Sequence, residues 1–291
     1  MINVRFPHPK YENIYYTWDN EKFFSNNNKQ ETDECRIIEY SENYEGWTDH
    51  LTNIHEEAHG DSHPIDVFSR NNCIRSIKKF QNTNPQVILD IGCSSGYLIE
   101  KLILKFPKSL VIGADVIKEP LHRLSQKLKN TPFIRFDLLK NPFHESFADV
   151  ITLLNVAEHI SDDKKAFEEC YKILKPNGIL IIEVPAIQLL YDSYDKELKH
   201  YRRYNLKELE QKLKNIGFKI KFKSHLGFFL FPLFFLVKLT NKILGNKNLT
   251  VSQSKKSNNF ITKILLKIEE NFFKNIYFPI GIRCFLCVEK I

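Results

Sequence analysis

Three groups of residues have the types and spacing that could do chemistry. The first is Val87-Ile-Leu-Asp-Ile-Gly-Cys-Ser-Ser-Gly96, where a short β-branched run carries one carboxylate, Asp90, and enters a turn of small residues. A buried strand, such a turn and then a helix let backbone N–H groups approach a nucleotide closely. The spacing of Leu98, Leu102, Ile103 and Phe106 supplies the helix. The second group is Asn155-Val-Ala-Glu-His159 with His200-Tyr-Arg-Arg-Tyr204. It offers histidines suited to proton transfer near neutral pH, with cationic and aromatic neighbours. The third is His55-Glu-Glu-Ala-His59, which fits the His-Glu-x-x-His pattern of zinc hydrolases. That pattern has three fixed positions, Gly60-Asp61 would end its helix at once, and His63 stands outside the metalloprotease offsets. No metal is expected on this basis.

The nucleotide is the next question. A dinucleotide fingerprint starting at Gly92 fails at Ser94 and Tyr97. The pattern Asp/Glu-x-Gly-x-Gly-x-Gly is met by Asp90, Gly92 and Gly96, with Ser94 the one departure. This stretch resembles the first motif of class I S-adenosylmethionine-dependent methyltransferases, type 11/12-like. Leu174-Lys-Pro-Asn-Gly-Ile-Leu-Ile-Ile182 is similar to that family's approach to its fifth strand. His200 to Tyr204, followed by Leu206, Leu209, Gly217-Phe218 and a Phe/Leu/Pro run, looks like members that modify sugars or lipid-linked glycans. The resemblance covers about residues 85–225.

It implies S-adenosylmethionine as cofactor and assigns each position a task. Asp90 would lie near the methionyl ammonium, and Gly92, Cys93, Ser94 and Gly96 would pass under the methionyl part. Asp115, with Val116 after it, would hold the ribose, as an acidic residue does at this point of nucleotide-binding α/β folds. Asp137 and Leu138 would meet the adenine, and the Asn155 backbone the methionyl group. For a hydroxyl acceptor, His159 is the expected base and His200 the group holding the acceptor, with Tyr201, Arg203 and Tyr204 beside it. Plainer readings stand next to these: Asp115 as an exposed loop residue, His159 as a hydrogen-bonded loop histidine with Glu158 as base, and 200–204 as a solvated basic loop.

The elements that must position these residues alternate. Apolar runs at Val87–Ile91, Leu110–Asp115, Phe133–Asp137, Ala148–Leu154 and Ile179–Val184 predict parallel strands, with helical patterns between them. That alternation predicts an α/β, doubly wound Rossmann-like sheet. Strands at Phe218–Ser224 and Tyr277–Val288 would complete seven, the last antiparallel by the resemblance. Helices are expected over Ile65–Phe80, Tyr97–Phe106, Leu121–Leu128, Asp162–Leu174 and Asn205–Ile216, with Lys175-Pro-Asn-Gly178 as a turn. Residues 1–64 are expected as an N-terminal extension or lid and 65–291 as the main domain.

The segment 226–275 is expected as a helical insertion. Leu226–Val237 is too short for a membrane span, which needs about twenty apolar residues. Phe260–Phe273 is amphipathic, with Lys263, Lys267 and Lys274. Packing against the rest of the protein is the favoured expectation, and a platform lying on a membrane surface the alternative. A formal charge of +7 is spread along 291 residues and suits an anionic surface, with no nucleic-acid partner expected. Six scattered cysteines and the polar, aromatic opening of the chain point to reduced thiols in a cytoplasm. Cys284 and Cys287 would face opposite sides of a strand and pack in the core. The expected partner is a small-molecule, glycan or lipid-linked acceptor. Rival readings are a catalytically silent cofactor-fold protein docking at a membrane and a zinc hydrolase through His55, Glu56 and His59.

Overall fold

The computed structural model describes residues 4–26, 32–41, 61–81, 84–244, 260–272 and 276–291. His55, Glu56 and His59 lie outside the described residues. The chain opens with β1 (Arg5–Pro7), β2 (Tyr15–Trp18), β3 (Phe23–Asn26) and β4 (Thr32–Cys35), which form a four-stranded sheet with antiparallel neighbours. These strands are too short for a clear period to show in the sequence. Their apolar positions still select one face: Phe6, Tyr16, Trp18 and Phe23 are buried, and Phe6 meets Phe147 edge-on at 5.7 Å. The small sheet thereby joins the core of the rest.

The main sheet holds eight strands, in the order β11-β12-β10-β9-β6-β7-β8-β5. They are β5 (Ile37–Glu39), β6 (Val87–Ile91), β7 (Leu110–Asp115), β8 (Phe133–Arg135), β9 (Ala148–Leu154), β10 (Leu174–Pro185), β11 (Phe218–Leu226) and β12 (Arg283–Lys290). Only β12 runs against its two neighbours, β10 and β11. The seven expected strands are therefore present. An eighth, β5, comes from the N-terminal extension and pairs parallel with β8 through Ile37 and Ile38.

Helices cover both faces: α1 (Pro64–Phe80), α2 (Tyr97–Lys105), α3 (Lys118–Lys127), α4 (Asp163–Ile173), the short α5 (Ser193–Glu197), α6 (Leu206–Ile216), α7 (Phe231–Leu244) and α8 (Phe260–Phe272). The sheet alternation sorts apolar side chains into two cores. Val87, Leu89 and Ile91 face one, Ile88 the other. Cys284 and Cys287 are buried in opposite cores, as their spacing requires.

Two expected boundaries move. Lys175–Gly178 lies inside β10, where a register shift between Leu174 and Ile179 absorbs the turn and Asn177 takes φ 62°. The apolar run from Leu226 is split: Leu226 ends β11, Gly227 turns at φ 78°, and α7 starts at Phe231 with Pro232 in its first turn. Among the described residues no helix is long and apolar enough to cross a membrane.

Charged groups sit inside this fold beneath the carboxyl ends of the strands. Glu183 in β10 is fully buried. Arg283 Nη1 donates to its Oε1 at 2.7 Å, and Arg283 Nη2 donates to Asp66 of α1 at 2.7 Å. Ser69 of α1 donates to the other Glu183 oxygen. One guanidinium thus ties α1 and β12 to β10 and compensates two carboxylates withdrawn from water. Removing one partner of a buried pair strands the other. Arg283→Met is therefore expected to destabilise the protein by about 3–5 kcal/mol, seen as a lower urea midpoint. A midpoint within error of the parent would show that this network is not what fixes α1 to the sheet.

Candidate active site

Neighbouring β6 is β7 on one side and β9 on the other. Chain connections therefore leave β6 and β9 in opposite directions, and a crevice opens at their carboxyl ends where ligands bind in such sheets. Gly92 and Gly96, at φ 77° and 75°, shape the turn there. A Cβ on Gly92 would lie 2.2 Å from Val156 Cγ2, and one on Gly96 2.5 Å from Leu124 Cδ2. Ser94 takes φ 43° without being glycine. Gly92 N–H and Cys93 N–H both donate to Ala114 O, which pulls the turn against the end of β7.

Asp115 completes this tie. Its Oδ2 accepts the Ser94 N–H at 2.9 Å and its Oδ1 accepts the Ile117 N–H at 3.1 Å. Both oxygens of this carboxylate are thereby oriented at the carboxyl end of β7. Asp90 is buried at the end of β6, and Thr152 Oγ1 donates to its Oδ1 at 2.5 Å. Burial pushes the Asp90 carboxyl up to about 7, and the nearby Asp115 adds to the rise. A cation seated next to it, such as a methionyl ammonium, would favour its charged form. A narrow turn of small residues between two carboxylates fits the methionyl and ribose parts of S-adenosylmethionine.

The other sequence-derived positions have mixed placements. Asn155 stands at φ 55° at the end of β9, and its Nδ2 donates to Glu183 at 3.2 Å. Asp137 accepts the Leu139 N–H and caps its own turn, while Leu138 is buried in the core. The Val116 carbonyl accepts from Arg135 Nε. Cys93 is buried, and burial raises its thiol well above the ordinary range.

Across the crevice the two histidine stretches meet. The His159 and His200 rings stand 4.7 Å apart, edge to face. The Tyr201 N–H donates to Glu158 O at 2.8 Å and holds the second stretch against the first. Glu158 is buried, and that burial pushes its carboxyl up to about 8. His200 Nδ1 contacts Asp195 Oδ1 at 2.8 Å, and Asp195 also takes Arg203 Nε at 2.9 Å and lies 3.4 Å from Lys238 Nζ. Against its burial, His200, Arg203 and Lys238 hold the Asp195 carboxyl well below the usual carboxylate range. Tyr191, Lys196, Lys199, His200 and Tyr201 line an open depression beside this cluster.

Two of the residues expected at the acceptor have little exposed surface. Arg203 and Tyr204 are buried: Arg203 is fixed on Asp195, and the Tyr204 backbone bridges to Pro185 and Ile187. The physical reason is pairing, since an arginine beside a buried carboxylate is held inside. Tyr201 is exposed and stays on the rim. Sequence reasoning missed Thr152, Glu183, Asp195 and Lys238. A signal for Asp195 exists in Asp192-x-x-Asp195, which forms a capping box at the start of α5.

Ser94 carries a direct test of the turn. A left-handed backbone costs a non-glycine residue about 1–2 kcal/mol, and glycine's extra unfolded freedom returns about half of it. Ser94→Gly is expected to raise stability by about 0.5–1 kcal/mol and to leave nucleotide binding intact. Lost binding of S-adenosylhomocysteine in calorimetry would mean the hydroxyl is a required contact.

Comparison with known proteins gives the fold its relatives. Residues 89–182 match the model of a methyltransferase domain. The demethylmenaquinone methyltransferase of Thermotoga maritima is 29% identical over 108 residues, 37% of this chain and 47% of that protein. The ubiquinone biosynthesis O-methyltransferase of Photobacterium profundum is 31% identical over 96 residues, 31% of this chain and 40% of that one. The chain spans about half the length, or less, of these curated relatives. A solved S-adenosylmethionine-dependent methyltransferase from Archaeoglobus fulgidus superposes with a TM-score of 0.52 at 16% identity, covering 83% of this chain and 100% of that one. The strand order, the turn at Gly92–Gly96 and the matched segment agree: this chain carries a methyltransferase domain of the class I, S-adenosylmethionine-dependent kind.

Proposed function

We propose that this protein transfers a methyl group from S-adenosylmethionine to an oxygen of a saccharide or lipid-linked acceptor. The observation that carries this reading is the meeting of Glu158, His159 and His200 on the rim of the crevice that holds the glycine turn. Bound S-adenosylmethionine supplies a methyl group already activated on a sulfonium. The protein's own tasks are then alignment, exclusion of water and removal of the acceptor's proton. In this reading residues 65–291 form the catalytic domain, and 1–64 an extension packed on it.

His159 is assigned to the acceptor's proton, because it follows Asn155, the residue assigned to the methionyl group, beyond the end of β9. His200 is assigned to holding the acceptor, since Asp195 fixes its ring. The lysines and tyrosines of the adjoining depression suit an anionic or hydroxylated group such as a glycan phosphate. The Photobacterium relative is an O-methyltransferase, which supports oxygen as the accepting atom.

The lipid-linked class is favoured by the outer surface of α7 and α8. α8 lies against α1 with Leu266 buried, and Glu269 accepts the Gly227 and Phe229 N–H groups. Leu233 and Leu236 of α7 and Phe260, Ile261 and Phe272 of α8 remain more than half or about half exposed. Lys263 and Lys267 stand exposed beside them. Apolar side chains with lysines between them suit the headgroup layer of an anionic membrane.

Two outcomes are expected. In a methyl-transfer assay with the cognate acceptor, His159→Ala should lose about 10²–10⁴-fold in kcat, as removal of a general base does. His200→Ala should show its loss largely in KM. Wild-type turnover by both across the pH range would overturn these assignments. Separately, the protein should sediment with phosphatidylglycerol vesicles at low salt, and Leu233→Asp with Ile261→Asp should abolish this. Sedimentation unchanged by those substitutions would reject α7 and α8 as the docking face.

A further inference from the structure

We propose that Glu158, His159 and His200 form a binding site for a divalent transition metal of the zinc class. Each of the three offers one ligand atom, and these atoms all lie within 4.8 Å of one another. Metal–nitrogen and metal–oxygen bonds of about 2.0–2.2 Å bring ligand atoms to rather more than 3 Å apart. Small side-chain rotations close that difference.

Two features separate this cluster from a chance gathering. Glu158 is 1% exposed, and its Oε2 is buried and accepts no hydrogen bond among the described residues. A buried acceptor without a donor carries a desolvation cost that a cation would relieve. The second feature is the surroundings of His200. Its Nδ1 lies 2.8 Å from Asp195 Oδ1, and Arg203 and Lys238 keep that carboxylate charged and fixed. Nδ1 therefore donates, which leaves Nε2 as the ligand atom. A carboxylate behind a ligating imidazole is the usual outer support of such sites.

The donor set selects the metal. Two imidazoles and one carboxylate suit zinc and its first-row neighbours, not the oxygen-seeking calcium or magnesium. Three protein ligands also leave positions open, as in catalytic rather than structural zinc sites. The Tyr201 N–H on Glu158 O fixes the separation of the two ligand stretches, so the site needs no large movement to form. What the metal does rests on the methyl-transfer reading. A bound metal would lower the pKa of an acceptor hydroxyl in an open position; His159, its lone pair given to the metal, would then act as ligand in place of free base, and the proton would pass to solvent.

Binding can be tested without the reaction. Protein free of any affinity tag is stripped with chelator and titrated with zinc chloride, and separately with manganese chloride, in a calorimeter. Parallel titrations with S-adenosylhomocysteine report whether each variant keeps its fold and its cofactor site. One equivalent of metal is expected to bind the parent. Glu158→Gln and His200→Ala should each weaken that binding by at least about tenfold, the loss attached even to an outer partner. His55→Ala with His59→Ala should leave it unchanged. No bound metal in the parent, binding that survives Glu158→Gln and His200→Ala, or loss on changing His55 and His59 would each overturn the site. Because S-adenosylhomocysteine binding is read separately, failure of the metal site leaves the methyl-transfer reading standing, and failure of that reading shows in the cofactor titration.

Discussion

The bond from the Ser94 N–H to Asp115 Oδ2 couples the two strand ends on which the nucleotide site depends. It requires β6 and β7 to lie side by side and in parallel, so that both carboxyl ends reach the same edge of the sheet. It requires small residues between them, because Gly92 and Gly96 have no room for a Cβ against Val156 and Leu124. It also fixes the Asp115 carboxylate at the carboxyl end of β7, the position from which it would meet a ribose diol in this account. The strand order, the crossovers and the apolar filling on both faces serve this arrangement.

The second theme is how a core of this kind tolerates carboxylates. Asp90, Glu158, Glu183 and Asp195 are all buried, yet their surroundings divide them. Glu183 and Asp195 have cationic partners in Arg283, Arg203 and Lys238, which keep them structural. Asp90 and Glu158 lack a salt-bridge partner among the described residues, and burial raises both toward neutrality. Carboxyl groups set near neutral pH at the edge of a crevice are poised to respond to a bound cation or a transferred proton. Structural and functional acids are thus separated by what stands within hydrogen-bond reach.

The parallel strands were legible because each is a continuous apolar run closed by a turn signal, as in Val87–Ile91 and Leu110–Asp115. Gly217 at φ 117° ends α6 where the sequence places a helix stop. The N-terminal strands were hidden because three or four residues hold at most two inward positions each. The histidine stretches stand out in the sequence by their position after strands. Their mutual contact, and the pairing of Asp195 with Lys238, depend on residues about forty apart in sequence that only tertiary packing joins. The burial of Arg203 was illegible for the same reason, since its partner Asp195 is joined to it by the fold.

The central claim is that Asp115 holds the ribose of S-adenosylmethionine at the Gly92–Gly96 turn. The most direct measurement is calorimetric titration of S-adenosylhomocysteine into the parent and into Asp115→Ala, with circular dichroism confirming that the variant is folded. Stranding the ribose hydroxyls should weaken binding by about 1–3 kcal/mol, or roughly 5- to 150-fold in Kd. An unchanged Kd in the folded variant would contradict the account.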